Sequence, residues 1–269
     1  MPTPCALIQT EDLDGPTNMA LDEVLWTEAA RGTPFLRLYG WSDRPVLSLG
    51  YFQCADDVRS DARLRKLPFV RRLTGGGAIV HDQEITYSLA IPARLAPPTN
   101  TLYDRVHRAI AASLVEIGIQ AEVSDDTYCA DKSDRLCFCR SDRFAVQVRG
   151  VKVLGSAQRR RPESVLVHGS LLLARSPAAP QVLGLREILD SDFCVESLRH
   201  ALGAAIAASL NLVVQPSELP ENLRLRAAML ADSKYRTGSW NHRMRPNQTR
   251  IHHDALHPEP IGPLCQLSR

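Results

Sequence analysis

With 269 residues, 44% of them hydrophobic, the chain can bury a sizeable core in one large domain or in one domain with a small appendage. Its 32 basic and 30 acidic residues leave a formal net charge of +2, which argues against a nucleic-acid binder but allows local patches for acidic protein partners. Seven cysteines at irregular spacing suit reduced thiols, and neither a signal-like start nor a bilayer-length apolar run is visible, so a cytoplasmic protein without membrane contact is expected.

The first apolar piece is Ala6-Leu7-Ile8, followed by a turn at Asp14-Gly15-Pro16. Thr17 or Asn18 is the expected cap of a helix running to about Arg31, with Leu21, Val24, Leu25 and Trp26 on its apolar face and Gly32 after its end. Residues 35–41 and 45–51 read as two strands, paired across a Ser42-Asp43-Arg44 turn. Residues 58–66 read as a helix with a basic face, and Cys54 as a packed or idle thiol.

Two apolar runs then flank Gly75-Gly76-Gly77. Three glycines let the backbone approach a ligand with no Cβ in the way, and their amides could bind an oxygen; a plain hairpin turn is the alternative. Arg71 and Arg72 before them could neutralise an acidic partner or phosphate, or form a solvated face. His81 could orient a ligand or cap the turn with Asp82. A strand follows at 85–91, then a helix at 101–117 with Val106, Ile110, Leu114 and Ile117 in register and Gly118 as its stop. Residues 121–123 read as a short strand, 125–135 as a polar loop, and 191–210 and 217–235 as surface helices. Beyond 242 a His/Pro-rich tail carries His252, His253 and His257, which could bind a metal; none is expected.

The most informative stretch runs from Cys137 to Leu173. Phe144, Val146 and Val148 alternate as a half-buried strand, Arg149-Gly150 turns, and 151–154 returns as a second strand carrying Lys152 among apolar residues. Gly155-Ser156-Ala157 and His168-Gly169-Ser170 supply two small-residue turns. A thiol and an amine held together on a sheet is a layout for covalent acyl transfer. Cys137 and Cys139 could instead ligate a metal with Cys129, or be inert; Lys152 could be a salt-bridge lysine.

The strings NMALDE (18–23), LRLYGWSDRPVLSLGYFQ (36–53), RRLTGGGAIVHD (71–82) with ITYSL (85–89), Lys152 followed by GSAQ (155–158), HGSLLL (168–173) and KYRTGSWN (234–241) resemble the biotin/lipoate protein ligase superfamily. Within it they resemble the branch of lipoate–protein ligase A and the cysteine-dependent octanoyltransferases. The resemblance implies an α/β (α+β) catalytic domain over 1–242: a mixed, mostly antiparallel sheet with flanking helices, and an acyl tunnel beneath the glycine loop. Residues 243–269 would be a loose tail.

It also implies a function. An octanoyltransferase of this branch moves octanoyl from octanoyl-acyl carrier protein through an acyl-cysteine to a lysine of a lipoyl carrier, such as the glycine cleavage H protein or a dehydrogenase E2 domain. No cofactor is implied. Cys137 stands at the family's nucleophile position, fifteen residues before Lys152. An ammonium beside a thiol favours the thiolate. Lys152, or alternatively His168, could accept the proton of the incoming lysine. Arg71, Arg72, Gly75, Gly76, Gly77, His81, Gly155, Ser156, Ala157, His168 and Gly169 are the expected substrate-side residues.

The sequence departs from the family pattern at Cys139-Arg140-Ser141-Asp142, which makes Cys139 a rival nucleophile. Three alternatives stand beside the transferase. One is an ATP- and Mg-dependent lipoate–protein ligase, which usually has an accessory domain for which few residues follow Trp240 here. The others are an octanoyl amidotransferase between lipoyl domains and a non-catalytic acyl-binding module.

Overall fold

The computed structural model describes residues 2–42, 45–126, 128–129, 136–189 and 192–242. The expected tail at 243–269, with its three histidines, and most of the loop at 125–135 lie outside the described residues. The expected fold class is what the chain forms: a mixed, mostly antiparallel sheet covered by helices.

Eight strands make the main sheet, in the order Leu212–Pro216, Thr3–Gln9, Phe35–Tyr39, Glu84–Pro92, Ser164–Leu172, Val151–Arg160, Val146–Val148 and Ala121–Val123. Thr3–Gln9 runs parallel to both its neighbours, and every other pairing is antiparallel. The central strands are buried along their whole length because each face of the sheet is covered. Side chains alternate between those faces. Leu36, Leu38, Ile85, Tyr87, Val165 and Val167 pack against helices Thr99–Glu116 and Val195–Ala208. Phe35, Tyr39, Ala90 and Leu166 meet helix Gly15–Ala29 and, behind it, Glu221–Leu230.

Helix Gly15–Ala29 starts earlier than expected: Asp14 is its cap, accepting from the Thr17 amide at 2.9 Å. The expected pairing of 35–41 with 45–51 does not form. Phe35–Tyr39 sits in the main sheet, whereas Val46–Leu49 is the centre of a second, three-stranded sheet between Phe69–Arg71 and Ile79–His81. Both outer strands pair with the centre and not with each other, so the glycine triplet is no simple hairpin turn; it crosses from one edge of this small sheet to the other. The helix expected at 58–66 divides into Ala55–Arg59 and a single 3₁₀ turn at Leu64–Lys66.

The turn at Arg149-Gly150 is as expected. Both residues have positive φ (50° and 74°), and Val148 faces Val151, which is a two-residue hairpin of the kind that matches strand twist. Phe144 is not part of that strand; it lies in the preceding turn with φ 74°. The register shifts beside Gln147, giving a bulge close to Lys152, and bulges of this sort re-aim side chains. Among the described residues, no helix is long and apolar enough to cross a membrane.

Candidate active site

A cavity of about 490 Å³ lies where the two sheets meet. One wall is the glycine loop (Gly75, Gly76), another is the pair of central strands (Gly155 to Gln158, His168 to Ser170), and Cys137, Asp142 and Lys152 close one side. The sequence-expected residues therefore converge, apart from Arg71 and Gly77, which are not among its lining residues.

Cys137 opens a 3₁₀ turn, Cys137–Cys139, and its amide donates to the Ala78 carbonyl at 2.8 Å, which ties the thiol to the end of the glycine loop. Lys152 reaches it from the strand Val151–Arg160. Its Nζ lies 3.6 Å from Cys137 Sγ, 3.2 Å from the Cys137 carbonyl oxygen and 2.8 Å from Asp142 Oδ2. The lysine side chain is only 3% exposed, so its ammonium needs these partners, while Asp142 is 48% exposed and keeps one side of the pair open to water. Gly155 gives the lysine room: a Cβ there would come within 2.8 Å of Lys152 Cε. Cys139, the rival thiol, packs instead against the buried cluster that includes Leu47, Leu49, Ala78, Leu136 and Ala179, and does not line the cavity. Among the described residues, no three His, Cys, Asp or Glu side chains are grouped to hold a metal.

The two arginines, Arg71 at the end of the strand Phe69–Arg71 and Arg72 just beyond it, divide their roles. Arg71 is fully buried behind the cavity, donating to the carbonyls of Gly50, Tyr51, Gln53, Trp240 and Asn241. Those bonds make it a structural clamp on the C-terminal helix Gly238–Asn241. Arg71→Ala strands five carbonyls, two of them in buried bonds and three in half-buried ones, and urea denaturation should show a loss of about 3 kcal/mol or more. Arg72 faces the cavity and holds the glycine loop, with Nη2 2.7 Å from the carbonyls of both Gly75 and Gly77 and Nη1 3.1 Å from Ser48 Oγ. Gly76 has φ 93°, open to glycine, and Gly50 must also lack a Cβ, which would sit 2.1 Å from the Gly76 carbonyl oxygen.

His81 bridges Ser48 Oγ (2.7 Å) and Glu84 Oε1 (2.8 Å) and stacks on Trp41 at 3.8 Å. Burial opposes ionisation of Glu84, yet the charge and hydrogen bond of His81, with a bond from Thr86, hold its carboxyl below the usual range. His168 lies between Asp22 and Thr74. Burial pushes its imidazole down despite the Asp22 carboxylate, so it is neutral at pH 7. Nδ1–H then donates to Asp22 Oδ2 at 3.4 Å, and Nε2 accepts from the Thr74 hydroxyl of the glycine loop at 2.5 Å. Burial also disfavours the Asp22 carboxylate, but His168, Arg37 and Tyr39 outweigh it and keep it ionised.

Sequence reasoning missed His107, Tyr103, Phe144 and Asp142 as cavity residues. His107 does stand on the apolar stripe of its helix, three residues before Ile110 and seven before Leu114, which is the one local signal that it is buried. Burial pushes its imidazole down to about 4, opposed by the bond to Phe144, with Lys152 pressing the same way as burial and Asp104 against it. The unfolded chain protonates this group near pH 6.5 and the folded chain does not. Stability is thus fully present above about 6.5 and falls as pH drops towards 4, by on the order of 3 kcal/mol from this residue. Urea melts at pH 7 and 4.5 should show a steeper loss for the wild-type chain than for His107→Asn.

Residues 14–206 match the model of the lipoyl protein ligase A/B catalytic domain. Octanoyltransferase LipM of Symbiobacterium thermophilum is 34% identical over 274 residues, covering 90% of this chain and 100% of that protein. Octanoyltransferase LipM of Kyrpidia tusciae is 33% identical over 260 residues, covering 84% of this chain and 94% of its own. Among solved structures, the bi-partite lipoate protein ligase of Thermoplasma acidophilum, described with its E2 lipoyl domain, has a TM-score of 0.70 at 21% identity and covers 92% of this chain and 99% of that one. At that identity the likeness is one of fold. On the sequence matches, this chain belongs to the lipoyl protein ligase A/B catalytic domain family, as an acyltransferase.

Proposed function

We propose that the chain transfers an octanoyl group from octanoyl-acyl carrier protein to a lysine of a lipoyl-domain protein, such as a glycine cleavage H protein or an E2 subunit, through an acyl-Cys137 intermediate and without ATP. The observation that carries this reading is the Lys152 ammonium 3.6 Å from the Cys137 sulfur in the wall of the cavity. Relatives named octanoyltransferase support the acyl group, and the E2 lipoyl domain described with the T. acidophilum ligase supports the acceptor class.

The Cys137 thiolate attacks the donor thioester carbonyl, and the bond to the donor sulfur breaks. Lys152 gives that leaving sulfur its proton and becomes a neutral amine. The acceptor lysine arrives protonated, with an ordinary pKa of about 10.4, and Lys152 takes its proton. The freed amine attacks the acyl-cysteine, the C–S bond breaks, Cys137 leaves as thiolate and the second amine proton passes to solvent. Exchange of one thioester for another costs little free energy, and amide formation drives the second step. Gly75 and Gly76, without Cβ atoms, let the backbone approach the acyl group, and Arg72, His168 and Thr74 hold that loop in place.

Octanoyl-acyl carrier protein, a lipoyl domain and the chain are mixed without ATP, and the lipoyl domain is followed by mass. Gain of one octanoyl group is expected. Modification that requires free octanoate or lipoate with ATP would instead identify a ligase. Transfer only from an octanoylated lipoyl domain would identify an amidotransferase, and no transfer under any condition a binding module.

A further inference from the structure

Helix Thr99–Glu116 turns His107 towards the cavity, and the hydrogen bonds around that histidine have a fixed direction. Nδ1 meets the carbonyl oxygen of Phe144, which can only accept, so the proton is on Nδ1. The neutral ring therefore offers a lone pair at Nε2, and the Ser156 hydroxyl donates to it at 2.7 Å. Ser156 having used its proton, the Tyr87 hydroxyl donates to Ser156 Oγ at 2.6 Å. The result is a buried chain from Tyr87 through Ser156 and His107 to the Phe144 backbone.

Two local features depend on this chain. Gly169 leaves the space that Ser156 occupies, since a Cβ there would lie 2.3 Å from Ser156 Oγ. Phe144 holds φ 74°, a left-handed conformation that costs a non-glycine residue about 1 kcal/mol or more and persists only when its surroundings enforce it. Its amide donates to the Ser124 carbonyl at 2.8 Å, and the Ala145 amide closes the turn on the Asp142 carbonyl at 2.9 Å. Two residues before Phe144 stands Asp142, the carboxylate that grips Lys152.

We infer that His107 is a positioning residue for acyl transfer: by holding the Phe144 carbonyl it fixes the turn at 142–145, so that Asp142 keeps the Lys152 ammonium against Cys137. The inference deepens the proposed function and rests on the roles given there to Cys137 and Lys152. Neither Tyr87 nor His107 needs to touch the acyl group for this.

The test compares His107→Leu, which removes both bonds, with His107→Asn, whose amide keeps a donor near the Nδ1 position. Acylation of Cys137 by an octanoyl thioester is followed by rapid quench and mass, per folded molecule. At saturating donor, His107→Leu should be about tenfold slower or worse, with the half-saturating donor concentration within about threefold, and His107→Asn should recover to within about threefold of wild type. Unchanged rates per folded molecule, equal slowing in both variants, or a loss confined to the half-saturating concentration would overturn the inference. If the wild-type chain accepts no octanoyl group, the proposed function fails separately. The inference is then read from alkylation of Cys137 by iodoacetamide, which needs no acyl donor. His107→Leu should differ from wild type by about threefold or more and His107→Asn should not; identical rates in all three would overturn it.

Discussion

Replacing Cys137 with alanine is expected to abolish octanoyl transfer, to below about one part in ten thousand of the wild-type rate. The reason is positional as well as chemical. Of the two thiols in the 3₁₀ turn, only Cys137 lines the cavity and lies beside an ammonium. Residues two apart in a 3₁₀ helix are about 240° apart around its axis, so Cys139 points elsewhere, against the apolar cluster of Leu47, Leu49, Ala78 and Leu136. Cys139→Ser should therefore change the transfer rate by no more than about twofold, at a small loss of stability from placing a hydroxyl against that cluster. Cys137→Ser keeps the shape and a weak nucleophile, but an alkoxide is far harder to form than a thiolate at neutral pH, and a serine ester is a poorer acyl donor to an amine. It should be as inactive as alanine in steady-state assays with a lipoyl acceptor. Cys5 offers no substitute, since it is fully buried and burial raises its thiol to about 12.

The second large effect is expected at Lys152. Lys152→Met, which preserves most of the volume, should slow transfer by about 10²–10⁴. It should slow both half-reactions, because the same ammonium serves the donor's leaving sulfur and, once neutral, the acceptor's proton. Lys152→Arg should not rescue. A guanidinium keeps the charge but cannot give up its proton near neutral pH, and the space over Gly155 is already filled by the lysine stem. Rapid-quench acylation of the chain and single-turnover transfer to a lipoyl domain separate the two steps. If Lys152→Met slowed only the second step, Lys152 would be a base for the acceptor and nothing more. Fold should survive in Lys152→Met, because the partner left behind, Asp142, is 48% exposed and can turn to water.

What could be read from the sequence was mostly local. The helix expected over 101–117 and found as Thr99–Glu116, the turn at Arg149-Gly150 and the juxtaposition of Cys137 with Lys152 rest on neighbouring residues or on motifs of fixed spacing. The partner of Phe35–Tyr39 could not be read that way. Proximity favours the next strand, Val46–Leu49, but Phe35–Tyr39 pairs along its two edges with Thr3–Gln9 and Glu84–Pro92, where both its faces are buried under helices. Arg71 and Arg72 show a similar limit. The strand ends at Arg71, and two identical side chains at its end say nothing about which one meets the cavity and which one clamps Trp240 and Asn241. Phe144 continued an apolar alternation, yet the contact that places it is a carbonyl bond to His107, 37 residues away. Asp142 stood inside the segment where the sequence departs from the family pattern, and only the fold brings its carboxylate to Lys152.

Carriage of octanoyl on Cys137 between two proteins requires an acylated form of the chain itself. Intact mass of the chain after mixing with octanoyl-acyl carrier protein, in the absence of ATP and acceptor, tests it most directly, with Cys137→Ser and Cys139→Ser alongside. One added octanoyl group is expected on the wild-type and Cys139→Ser chains and none on Cys137→Ser. Acylation that survives in Cys137→Ser, or an unmodified wild-type chain that nevertheless octanoylates a lipoyl domain, would contradict it.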